Sequence, residues 1–97
     1  MLRQEPATVR FTSIIWDMDD DPYGNVQHIA LNALSIGEVD HVLHTATSRG
    51  VSRRSGSPML WGYTPEGRYI AVVYQEVSEG TIRVVTAYDA PEPRRHR

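Results

Sequence analysis

Between Pro58 and Asp89, three runs rich in β-branched and aromatic residues follow one another with only tight turns between them. That spacing commits the second half of the chain to neighbouring antiparallel strands. PMLWGY (58–63) leads into Thr64-Pro65-Glu66-Gly67, a type I turn with proline second and glycine fourth. RYIAVVYQEV (68–77) is apolar on both faces at its middle, as a central strand covered on both sides must be. Ser78-Glu79-Gly80 makes a short hairpin loop. TIRVVTAYD (81–89) alternates Ile82, Val84, Thr86 and Tyr88 against Arg83, Val85 and Ala87.

The first half reads as strand, helix, helix. VRFTSIIW (9–16) is a strand candidate, ended by the aspartates of WDMDDDPYGN. Asp17, Asp19 and Asp21 match the first ligand positions of a calcium loop, but Pro22 replaces its required glycine and His28 its bidentate glutamate. The cluster is better explained as the entry to a helix. Either Asp21 caps a helix that starts at Pro22, or Asn25 is the cap and residues 17–24 form a turn. Val26, Ile29, Ala30, Ala33 and Leu34 then form the apolar stripe of a first helix, with His28 and Asn32 off it. Ser35-Ile36-Gly37-Glu38 is a capping box for a second, with Leu34 and Val39 placed to staple it. The buried face continues through Val42 and Leu43. Thr45 to Ser57, full of serine, glycine and arginine, has no period and reads as a loop.

The fold expected is therefore α+β: one strand, two helices, then a three-stranded antiparallel meander, with the helices packed on one face of the sheet. At 97 residues the chain has room for one domain. Its ordered core is expected to span about 9–89, between flexible tails 1–8 and 90–97.

Charge is uneven along the chain. Residues 1–48 hold two arginines against seven acids, and residues 49–97 hold eight arginines against five acids, which sums to the net −2. All ten basic residues are arginine, the better fork for phosphate and carboxylate. The absence of cysteine excludes disulfides, thiolate metal sites and cysteine nucleophiles. The opening MLRQEPATVR is too polar for a signal peptide, and no apolar run reaches membrane-spanning length. A soluble cytoplasmic protein with no membrane partner is expected, and no motif implies a cofactor or metal.

Of the groupings that could carry chemistry, His41 and His44 share a helix face, with Asp40 and His28 within range, but only this pair is secured for a zinc site. No serine sits in a nucleophile elbow, and a Walker loop needs a lysine the chain lacks. The arginines are more productive. Arg49, Arg53 and Arg54 in the loop, Arg68 and Arg83 could converge on one edge of the sheet. Guanidinium groups beside a proton carrier suit RNA cleavage by the 2′-hydroxyl, with the arginines stabilising charge on the phosphate. Tyr88, Tyr63 and His28 are the candidate carriers.

IIWD (14–17), LSIGEVDHVL, GYTPEGRYIAVVYQE and IRVVTAYDA together resemble the BrnT-like family of small bacterial toxins with a RelE-like fold. Its members show a W-D pair, a K-H-G-V-S-F-E-E-A segment, a G-x-x-x-x-G-R strand and an I-R-I-I-S-A-R strand. Trp16, Asp17, Ser35, Glu38, Gly62, Gly67, Arg68, Tyr74, Ile82, Arg83 and Ala87 match, across most of residues 14–88. The resemblance implies a metal-independent endoribonuclease that halts translation, acts on mRNA or the ribosome, and is neutralised by a ribbon-helix-helix antitoxin. Its site would be Arg53, Arg54 and Arg83 on phosphate, with Tyr88 or His28 moving protons. Leu31-Asn32 stands where the family has Lys-His, and Thr86-Ala87-Tyr88 where it has Ser-Ala-Arg. These departures define the alternative, a non-catalytic interaction module that kept the fold and lost the nuclease site.

Overall fold

The computed structural model describes residues 11–93. The expected tail 1–8, the first two residues of the expected opening strand and residues 94–97 lie outside that span. The fold is organised around the apolar run expected at its centre. Ile70, Ala71, Val72, Val73 and Tyr74 are all buried in β4 (Tyr69–Ser78). The strand before it is β3 (Pro58–Tyr63) and the one after it β5 (Thr81–Asp89), both antiparallel to it.

The three-stranded meander with a separate opening strand is not what forms. Among the described residues the sheet has five strands and is mixed: β1 (Ser13–Ile15) borders β5, β5 borders β4, β4 borders β3, and β3 borders β2 (Ser48–Val51). Two differences produce it. β1 shrinks to Ser13–Ile15 and joins the outer side of β5 in parallel. β2 (Ser48–Val51) lies inside the segment read as a loop and pairs antiparallel with β3. Its sequence, Ser-Arg-Gly-Val, carries no apolar alternation because an edge strand can be held by backbone pairing on one side alone.

Among the described residues, two helices cover one face. α1 (Asn25–Ala30) packs on β5, and α2 (Ile36–Thr45) packs on β3 and β4. Ile29 from α1, Leu34 from the turn segment after it, and Val39, Val42 and Leu43 from α2 meet Leu60, Ile70, Val72, Tyr74, Ile82, Val84 and Ala87 of the sheet. Each of these larger aliphatic side chains, taken from water, contributes roughly 1.5–3 kcal/mol. The approach is close: a Cβ on Gly62 would stand 3.2 Å from the Ala46 backbone and from Val42. The other face is covered by no helix among the described residues and carries a smaller cluster of Met59, Ala71 and Val73 with Trp61, Val85 and Ala90.

α2 starts as its sequence signature requires. The Glu38 amide donates to Ser35 Oγ at 3.2 Å, and the Ser35 amide donates to Glu38 Oε1 at 3.0 Å. α1 starts later than an Asp21 cap would place it. Gly24 is its N-cap, without a side-chain bond, while Asp21 Oδ1 accepts from the Tyr23 amide in a turn. Replacing the capping oxygen (Ser35→Ala) is expected to cost about 1 kcal/mol, measured as a lower urea midpoint with unchanged slope.

Candidate functional site

The register of β5 decides which side chains reach the uncovered face. Val73 faces Thr86, but the next residue, Tyr74, faces Val84, so Val85 is an extra residue in a β-bulge. The bulge breaks the simple alternation expected for this strand. Ile82, Val84 and Ala87 join the helix-covered core, while Val85 packs with Met59, Val73 and Trp61 on the opposite face. Thr86 and Tyr88 open onto that same face. No glycine or proline in TIRVVTAYD marks the bulge, so nothing in the sequence announced it.

A cavity of about 820 Å³ lies there. Met59, Trp61, Val73 and Val85 form its apolar part, Thr86 and Tyr88 one wall, and Ser52, Arg53, Arg54 and Ser55 the loop beside it. Trp61 is seated on the neighbouring strand because Gly50 has no side chain. A Cβ there would fall 3.1–3.2 Å from the indole ring. The walls thus combine two guanidinium groups, one phenol and an indole. Such a set can hold an anion against a stacked ring and move one proton. The aromatic and aliphatic floor was the part that sequence reasoning missed. Period two in PMLWGY already puts Met59 and Trp61 on one side and Leu60 and Gly62 on the other.

The remaining candidates stand elsewhere. Arg83 pairs with Asp17 Oδ2, not with the cavity, and lies five residues from Tyr88, roughly 16 Å along an extended strand. Asp17 is held in turn by Asn25. The Asn25 amide donates to Asp17 Oδ2 at 2.8 Å, and Asn25 Oδ1 accepts from the Asp17 amide at 2.8 Å. Asn25 Nδ2 donates to Ile15 O at 3.0 Å and to Val84 O at 2.9 Å. His28 is exposed on α1, in the helix layer against the other face. Arg68 forms a fork with Asp89, at 3.0 and 3.1 Å, and donates to Ala33 O and Asn32 O at 2.6 and 2.9 Å. It holds the turn that follows α1, and the Asp89 bond raises its pKa further. Arg49 faces Leu60 across the strands and acts on Tyr74. Burial raises the Tyr74 phenol above the ordinary tyrosine value, while Arg49 pulls it down and Glu76 adds to the rise. Asn32, where the resembled family has histidine, donates to Ala87 O at 2.8 Å.

Of the five arginines considered together, two reach the cavity. Comparison with protein-family models, with curated proteins and with solved structures finds no match. No helix among the described residues is long and apolar enough to cross a membrane.

Asn25 is buried, and its side chain is the shared partner of three backbone groups. Asn25→Ala leaves them without it, and the expected loss is on the order of 3 kcal/mol. Chemical denaturation reads it directly, and hydrogen exchange should show the earliest opening at β1.

Proposed function

We propose that this chain acts in the cytoplasm as a BrnT/RelE-like, toxin-type protein, and that the uncovered sheet face is where it engages RNA. The observation that carries this reading is one cavity holding Arg53, Arg54, Tyr88 and Trp61. Single-stranded RNA needs cations for its backbone and aromatic faces for its unstacked bases. The segment from Ser48 to Ser57 supplies three arginines and no acid, so it is locally cationic on a chain of net −2. In cleavage, the two guanidinium groups would stabilise charge on the phosphate while Tyr88 moves a proton. The partner in this reading is a ribbon-helix-helix antitoxin that occludes the face, with mRNA or the ribosome as target.

A second reading, an interaction module without nuclease activity, draws support from the same geometry. Arg83 is engaged by Asp17, and His28 stands on the helix side of the sheet. Tyr88 is thus the sole ionisable group other than arginine among the residues lining the cavity.

The two readings separate in one experiment. Purified protein is incubated with mRNA, alone and with ribosomes, and growth is followed on expression. The nuclease reading expects cleavage that falls at least about a hundredfold in Tyr88→Phe. RNA affinity, which the remaining ring still supports, should change little. Arg53→Ala with Arg54→Ala should weaken RNA binding at least about tenfold. The same pair should flatten the dependence of log affinity on log salt by about 0.7 for each phosphate left unneutralised. Folded protein that binds RNA but neither cleaves it nor arrests growth leaves the module. Protein that does not bind RNA removes the nuclease reading and leaves only a module that recognises protein.

A further inference from the structure

β2 has a neighbour on one side only among the described residues, because it ends the sheet opposite β1. The direction of its backbone groups follows from its partner. Val51 faces Pro58, which has no amide hydrogen to offer, and the next residue, Ser52, donates to Ser57 O at 2.7 Å. Backbone groups of an antiparallel strand alternate between its two sides. Ser52 therefore points toward β3, and Val51 and, one repeat earlier, Arg49 turn their N–H and C=O groups outward. Val51 is 63% exposed.

We propose that this edge is a docking site for an extended acidic segment of a partner protein, which adds to the sheet as one more strand. Charge complementarity selects the occupant. Arg49 lies on the edge itself, Arg53 and Arg54 immediately follow it, and no acid occurs from Ser48 to Ser57. A residue opposite Arg49 on the added strand would stand about 5 Å away between Cβ atoms. The same charge disfavours a second copy: two β2 strands side by side would bring their arginines together, a common protection of free edges. An acidic strand meets that protection as attraction, so main-chain bonds supply affinity and the arginines supply selection. The site adjoins the cavity and shares Val51, Arg53 and Arg54 with its lining, but it uses the backbone rim of the sheet where the cavity uses the face.

The test is fluorescence anisotropy with a labelled short peptide of alternating glutamate and valine, on the full chain. Binding is expected at low salt, weakening as salt rises, with no binding of the lysine–valine analogue. Val51→Pro removes an outward amide and is tolerated at such a position; it should lower affinity at least tenfold while circular dichroism shows an unchanged fold. Arg49→Glu, which keeps the backbone, should transfer preference to the lysine–valine peptide. Methylating alternate peptide amides should abolish binding in one of the two registers. Affinity indifferent to Val51→Pro and to methylation overturns the proposal, because the peptide would then be held by charge alone. Sedimentation that shows copies pairing through this edge, lost in Val51→Pro, overturns it in favour of self-association.

Discussion

The carboxamide of Asn25 is the junction on which the layout of the sheet depends. It accepts from the Asp17 amide and donates to carbonyls of Ile15 and Val84, so it fastens the end of β1, the turn behind it and β5 at one buried point. A three-residue parallel strand has little pairing of its own. An asparagine serves here because a buried amide can satisfy an acceptor and a donor together, whereas an aliphatic group would strand all three backbone partners. The placement then propagates. Asp17, gripped by the Asn25 backbone amide, stands where it meets Arg83. A carboxylate that looks like part of a metal loop in one dimension is thus a strut, and an arginine that looks catalytic is its partner.

The bulge at Val85 acts at the other end of the same strand. It rotates the end of β5 by one residue, and that half-turn removes Thr86 and Tyr88 from the side of Ile82 and Val84. Without it, Ala87 would face the loop and Tyr88 the helices. The helix layer could not take the phenol there, because Ala87 is fully buried in a well-filled core. The cavity therefore owes its phenol to an irregularity of register and its indole to a missing side chain at Gly50. Both devices re-aim a few side chains while the rest of the sheet stays regular.

These two features also explain how far the sequence could be read. β3, β4, β5 and α2 were legible because each is specified locally, by a turn, an apolar run or a capping box. Both helices lie on one face, as their stripes require. β2 was not legible: Ser48–Val51 has no pattern because one neighbour and exposed side chains ask for none. The direction of β1 was not legible either, since parallel pairing with β5 depends on contacts across 59 residues, as between Asn25 and Val84. Among candidate site residues, Arg53 and Arg54 share the cavity with Tyr88. Arg83 and His28 do not, and the reasons are tertiary: the ion pair with Asp17 and the side of the sheet that α1 covers.

Sheet order gives the charge pattern a direction that a net value of −2 conceals. Among the described residues, β1 and β2 are the opposite edges of the sheet. The aspartates at 17 and 19–21 follow β1, and the arginines at 49, 53 and 54 lie on and after β2. The molecule is therefore polarised across its sheet, with the acidic turn at one rim and the basic loop at the other. An anionic partner approaching from solution is turned toward the β2 side before any contact forms, and salt weakens that guidance. Asp17 is engaged within the molecule by Arg83, while Arg53 and Arg54 flank open space. An apolar floor, an edge strand with one neighbour among the described residues and cations between the two make that side of the sheet the one proposed for recognition, whether or not chemistry follows binding.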